Sequence, residues 1–224
     1  VVALQQDQPE VLKKWRAFIE ISMSHCDEIY GDLNVNLRPK DTFGESQYKG
    51  TIPSIMETLS EEGLLTESNG ALCVFLDEFT DKNGEKQAVI VQKSDGGYLY
   101  ATTDVAAIRH RAHELEADRI LYFVDARQTL HFKQIFALAR KAGLCAPHLA
   151  LGHISNGAIL NKAGKPFKTR DGNTVKLADL IKESRDRAKE IFLAKNEKAD
   201  ISSVEEIANA IGIAAIRYSE LSKH

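Results

Sequence analysis

The sequence predicts a mixed α/β fold, in which a parallel β-α-β-α-β unit follows a small mixed, largely antiparallel insertion and is closed by C-terminal helices. Three observations predict it. Short apolar runs at Tyr98–Thr102, Ile120–Val124 and Leu149–Ile154 alternate with helical periods at Asp104–Leu115 and Phe132–Ala142, the order that right-handed crossovers produce. Ahead of them, the turn signals Asn69-Gly70 and Lys82-Asn83-Gly84 separate short strand-like segments. Behind them, Leu177–Leu193 and Val204–Leu221 are helical by period.

Taken in order, Asp7 with Pro9 just inside predicts a helix start. Val11, Leu12, Trp15, Phe18, Ile19 and Ser22 then share one face of a long helix reaching Tyr30. The alternation of Leu33, Val35 and Leu37 with asparagines predicts a half-buried strand. Ile52, Ile55, Met56 and Leu59 mark a second helix, stopped by Gly63. Leu64–Glu67 and Ala71–Leu76 pair across Asn69-Gly70, and Ala88–Gln92 adds a third strand. A polar loop rich in Gly and Lys, Asn161–Asn173, joins the last strand to the final helices. The expected organisation is residues 1–92 as connective helices and the small insertion, 93–175 as the parallel unit with its loop, and 176–224 as a helical region.

With 224 residues, 43% hydrophobic and 27% charged, the chain has enough apolar material for one or two globular domains. A net charge of -3 does not advertise a polyanionic partner, so nucleic acid would have to meet a local basic patch. The three cysteines, Cys26, Cys73 and Cys145, lack the spacing of a metal knuckle or redox pair and fit a reducing cytoplasm. No apolar run approaches the ~20 residues that span a bilayer. The opening Val1-Val2-Ala3-Leu4 runs directly into an amphipathic pattern, which suggests a segment of a longer protein.

In an open parallel sheet, ligands sit beyond the carboxyl ends of the strands, where loops and helix N-termini converge. Those ends carry Thr102, Thr103 and Asp104, then Asp125 to Gln128 with His131, then Gly152, His153 and Ile154. A carboxylate with a phenol four residues earlier and a neighbouring amide can hold a flat cation by paired hydrogen bonds and ring contact; Asp104, Tyr100 and Gln128 supply those groups. Alternatively, or in addition, Asp104 caps the helix it opens. Lys162, Lys165, Lys168 and Arg170 bring four cations to one loop, which could close over a triphosphate or simply be solvated. That loop is not a P-loop, since Pro166 follows Gly164-Lys165, and no G-x-G-x-x-G follows a strand. His110 and His113 have a metal-like spacing without a third ligand, and read as surface histidines beside Arg109 and Arg111.

Four ordered strings then carry a resemblance over essentially the whole chain: Gly44–Tyr48 (GESQY), Lys93–Asp104 (KSDGGYLYATTD), Tyr122–Phe132 (YFVDARQTLHF) and Phe167–Gly172 (FKTRDG). The chain resembles the class I arginyl-tRNA synthetases of bacterial type. The resemblance implies the second half of a Rossmann-like catalytic domain and an ATP-dependent arginine–tRNA ligase, whose activation step needs tRNA to be present. It implies arginine binding by Tyr100, Asp104 and Gln128, with His131 nearby and the backbone of Gly152, His153 and Ile154 against adenine. It also implies that Phe167–Arg170 takes the place of the K-M-S-K loop, with Arg170 in the final position and Lys162, Lys165 or Lys168 supplying the missing charge.

Arginine, ATP with Mg2+ and the cognate tRNA are the implied partners, in a monomer without membrane association. No H-I-G-H string occurs in these residues, so the resemblance points to a partial catalytic domain, inactive by itself. The 176–224 region then leads toward an anticodon-binding domain. Two other readings stay open: a non-catalytic arginine- or ATP-binding module, and a nucleotidyl transferase of the same superfold.

Overall fold

In the computed structural model, which describes residues 2–156, 176–196 and 200–222, the chain groups into two units. The first comprises Val1–Trp15 with Lys40–Ser155, the second Arg16–Pro39 with Asn156–His224. The short helix α1 (Val2–Gln5) precedes α2 (Pro9–Asp32), whose first residue is the proline that needs no hydrogen-bonding N–H at that position. Asp7 adopts φ 57° and turns the chain between the two helices rather than extending into a cap. The predicted strand Leu33–Leu37 does not form. Asn34 takes the left-handed conformation at φ 53°, and the Val35 N–H bonds the Tyr30 carbonyl at 2.9 Å, so the segment is the C-terminal cap of α2.

In the first unit α3 (Ile52–Glu61) buries Ile52, Ile55 and Leu59 at helical spacing. It ends where Gly63, at φ 65°, lets the Leu64 N–H reach the Leu59 carbonyl at 2.9 Å. Strands β1 (Leu65–Ser68), β2 (Ala71–Thr80) and β3 (Lys86–Gln92) form an antiparallel sheet in that order. Asn69 and Gly70 both have positive φ, as a two-residue turn matched to strand twist requires, and set Ser68 opposite Ala71. Val74 and Leu76 of β2 and Val89 and Val91 of β3 are buried in the shared core, which continues into α4 (Tyr100–His113) through Ala101, Val105 and Ile108.

The run Tyr98–Thr102 is not a strand. Only Tyr98 pairs with β3, through an isolated bridge to Gln92, and its backbone is also held by the Gln5 amide at 3.1 Å in both directions. The helix starts two residues later because both threonines find partners within or beside it. The Thr102 hydroxyl donates to the Val91 carbonyl, and Thr103 to the Tyr100 carbonyl at 2.9 Å. Of the run that reads as an apolar strand, Ala101 and Thr102 are buried in the first helical turn while Tyr100 is exposed.

Beyond α4, β4 (Arg119–Asp125), α5 (Thr129–Lys141) and β5 (Ala150–Asn156) make the parallel β-α-β unit, with β4 and β5 adjacent. The mixed α/β class with a parallel sheet is therefore observed, with two strands in that sheet among the described residues. Ile120 and Tyr122 of β4 face Phe132, Ile135 and Phe136 of α5 in the core, while Leu121 and Phe123, one residue out of phase, are exposed.

The second unit holds most of α2, α6 (Leu177–Lys195) and α7 (Ile201–Leu221). Gly212 of α7 lies against α6 so closely that a Cβ there would stand 2.9 Å from the Arg185 backbone. The Ser184 hydroxyl donates to the Gly212 carbonyl at 2.9 Å across this crossing. Arg185 also reaches Asp32 at the end of α2, at 2.8 Å. Among the described residues no helix is long and apolar enough to cross a membrane.

Candidate amino-acid pocket

Because the helix begins at Tyr100, Asp104 sits one turn inside α4, on the same side as Tyr100 four residues earlier. It does not cap the helix: the cap position is Leu99, with no side-chain cap bond. From α5, His131 projects its Nε2 to 2.7 Å from Asp104 Oδ2, and both side chains are largely enclosed, 16% and 25% exposed. The Tyr100 ring meets the His131 ring edge-on, with centroids 4.8 Å apart. Three of the four residues expected to bind arginine therefore meet. Gln128 is exposed on the 3-10 turn Ala126–Gln128 before α5, and among the described residues makes no side-chain hydrogen bond to this cluster.

That turn is braced locally. Arg127 donates its backbone N–H and its Nε to Asp125 Oδ1, both at 2.8 Å, and Nη2 to Oδ2 at 2.9 Å. These bonds from Arg127 hold the exposed Asp125 carboxyl down to about 2. They also fix the entry of α5 and so the position of His131 in its first turn.

The expected adenine-side residues separate by strand alternation. His153 turns inward: its ring stacks on Phe132 with centroids 5.2 Å apart, and its Nε2 lies 2.9 Å from the Val124 carbonyl. Gly152 and Ile154 are in phase with each other on β5 and out of phase with His153. A Cβ on Gly152 would come within 2.9 Å of the Leu121 side chain, so glycine keeps this stretch flat beside the exposed Leu121. Phe132, touching both His131 and His153, links the two parts of the site. Lys162, Lys165, Lys168 and Arg170 lie outside the described residues.

Sequence reasoning missed the layer beneath Asp104. Arg111, expected at the surface, is half-buried and donates to the Tyr122 hydroxyl at 2.8 Å, with its guanidinium 5.1 Å from that ring centre. Burial pushes the Tyr122 phenol up to about 12, with Arg111 opposing and Asp104 adding to the rise. Burial likewise raises Tyr48, again with Arg111 opposing. The available signal was spacing, because Arg111 is two turns from Asp104 on the same helix face.

Nor are the neighbours of Arg111 surface groups. Arg109 donates to the Ser54 hydroxyl at 2.7 Å, and His110 stacks on Phe43 at 4.6 Å and pairs with Glu114 at 2.9 Å. Among the described residues no group of three or more His, Cys, Asp or Glu could hold a metal ion.

A half-buried carboxylate with two aromatic rings at its rim suits a flat, delocalised cation. The family model described as tRNA synthetases class I (R), catalytic domain, matches residues 1–224. The arginine–tRNA ligase of Hahella chejuensis is 50% identical over 100% of this chain, which covers 39% of that protein. The one from Stutzerimonas stutzeri is 51% identical over the same extent.

Among solved structures, the arginyl-tRNA synthetase of Plasmodium falciparum superposes with TM-score 0.81 at 30% identity, covering 100% of this chain and 36% of that one. The Thermus thermophilus arginyl-tRNA synthetase, with TM-score 0.61 at 19% identity over 76% of this chain and 33% of its own, supports the fold alone. The chain thus spans about two fifths of the length of the curated relatives it matches. With the family model matched from the first residue to the last, the chain belongs to the class I arginyl-tRNA synthetase family, within its catalytic domain.

Proposed function

We propose that this chain supplies the arginine pocket and the phosphate-binding loop of an ATP-dependent arginine–tRNA ligase. The observation that carries the reading is the Tyr100–Asp104–His131 cluster: an enclosed carboxylate, rimmed by aromatic rings, with no lysine or arginine among the described residues in an ion pair with it. Such a carboxylate attracts a cation, and its aromatic rim favours a planar one. In the reaction, the carboxylate of arginine attacks the α-phosphorus of ATP and pyrophosphate leaves. The terminal ribose hydroxyl of the tRNA then attacks the arginyl carbonyl and AMP leaves.

Both steps depend on positioning and charge neutralisation more than on covalent participation by the protein. Asp104 and Tyr100 hold the arginine side chain, and Gln128 fixes its orientation once substrate is present. Gly152, His153 and Ile154 form the adenine side, with the flat Gly152 stretch offering the contact face. Lys162, Lys165, Lys168 and Arg170 neutralise the departing pyrophosphate. Mg2+ enters with ATP as the counter-ion of its phosphates; the described residues offer it no ligand cluster, and no protein residue is assigned to it. The remaining elements of the reading are a cytoplasmic, monomeric protein in which residues 176–224 lead toward the anticodon-binding domain.

The test is ATP–pyrophosphate exchange by the full-length protein with tRNA present. Exchange is expected to require arginine. Single alanine replacements of Lys162, Lys165, Lys168 and Arg170 are expected to slow adenylate formation more than they weaken arginine binding. Exchange that is indifferent to arginine overturns the substrate, and equal losses in both quantities overturn the role of the loop.

A further inference from the structure

We propose that His131 is a positioning residue for Asp104, donating from Nε2 to hold its carboxylate for the incoming guanidinium. The proposal deepens the arginine-pocket reading above and rests on it. A nitrogen 2.7 Å from a carboxylate oxygen must carry the shared proton, since two acceptors at that distance repel. The terminal torsion of an aspartate is broad and roughly two-fold, so the helix alone does not select the plane of the carboxylate. His131 does, by taking one lone pair of Oδ2 and leaving Oδ1 and the rest of Oδ2 for a ligand.

His131 is itself clamped. Tyr100 meets its ring at 65° with centroids 4.8 Å apart, and Phe132 at 70° with centroids 5.1 Å apart. The donor ring is therefore held from two directions.

The groups around the pair leave this donor to Asp104. From α4 come Asp104, the Tyr100 phenol and, one layer down, Arg111. From β4 come the Tyr122 phenol, held neutral by burial, and Asp125, already paired with Arg127 of the 3-10 turn. From β5, His153 lies on the far side of Phe132. On α5 itself His131 is in the first turn, where the free N–H groups carry partial positive charge. Asp104 is thus the one carboxylate that faces His131 among these groups.

The experiment measures KM for arginine and for ATP separately in the full-length enzyme and its His131 variants. His131→Phe, which keeps the ring contacts without the donor, is expected to raise arginine KM about 10- to 100-fold while the ATP KM changes little. His131→Gln, which restores an N–H at the Nε2 position, should recover most of the affinity.

A folded His131→Phe enzyme with wild-type arginine KM, or a His131→Gln enzyme that recovers none of the affinity, overturns the proposal. If His131→Phe does not fold, His131→Leu set against His131→Gln decides the matter. Asp104→Asn separates the two levels. If it leaves arginine KM unchanged, the pocket assignment fails; if it raises arginine KM sharply while the His131 variants do not, only the positioning role fails.

Discussion

Asp104→Asn removes a charge and almost nothing else, which makes it the most informative single change in this protein. The amide is isosteric with the carboxylate and its oxygen can still accept from His131 Nε2, so the 2.7 Å contact and the packing of Tyr100 need not change. What is lost is the charge assistance on the bonds that a guanidinium would make. A hydrogen bond to a charged group contributes about 1.5–3 kcal/mol against about 1 for a neutral one, so two such bonds lose about 1–4 kcal/mol together. The Asp104 side chain is 25% exposed, which places it well short of the surface pairs that contribute little.

In rate terms this is a fall of about 5- to 1000-fold in kcat/KM for arginine. Arginine-dependent pyrophosphate exchange, with tRNA present and ATP saturating, reads that number directly. A loss under about threefold in a folded variant would mean that Asp104 does not face the substrate cation, and the assignment of the pocket would fall with it.

Two further changes probe the frame around the site. Tyr122, with its phenol raised from its ordinary value to about 12, releases its proton more readily when unfolded than when folded. Its contribution is therefore fully present below about pH 10 and is lost as pH rises through about 12, and wild type should lose about 1 kcal/mol more than Tyr122→Phe between about pH 9 and 11 in urea denaturation. Equal losses would contradict the burial of the phenol. Gly212→Ala sets a Cβ 2.9 Å from the Arg185 backbone, and the overpacking cost of about 1–3 kcal/mol outweighs the ~1 kcal/mol gained in helix propensity. Hydrogen exchange over α6 and α7 should quicken; slower exchange would show the helices are free to separate.

Local signals were legible wherever one interaction range settles the conformation. Asn69-Gly70 can supply two positive φ values in succession, and Gly63 frees the last turn of α3, whatever the rest of the chain does. The segments misjudged from sequence depended on partners far along the chain or on an end effect. Thr102 is buried in a helix because Val91, eleven residues earlier, offers its carbonyl. Leu33 to Leu37 alternate as a strand would, yet Asn34 in the left-handed region turns them into a helix cap. Arg111 looked like a solvated cation because nothing local reveals that Tyr122 awaits it across the core.

For the site, the chain's own residues determined the chemistry on offer: a carboxylate, a phenol and an imidazole in strings specific enough to indicate the family. Sequence reasoning grouped Gly152, His153 and Ile154 together, and only the structure turned His153 inward from the other two. Only the tertiary structure decided that Asp104 and His131, 27 residues apart, share a hydrogen bond, that Phe132 joins the two halves of the site, and that Gln128 stands outside the cluster. The reason is physical. Residue type and periodicity set which face of an element a side chain occupies, whereas a 2.7 Å contact between two helices depends on how the whole core beneath them packs.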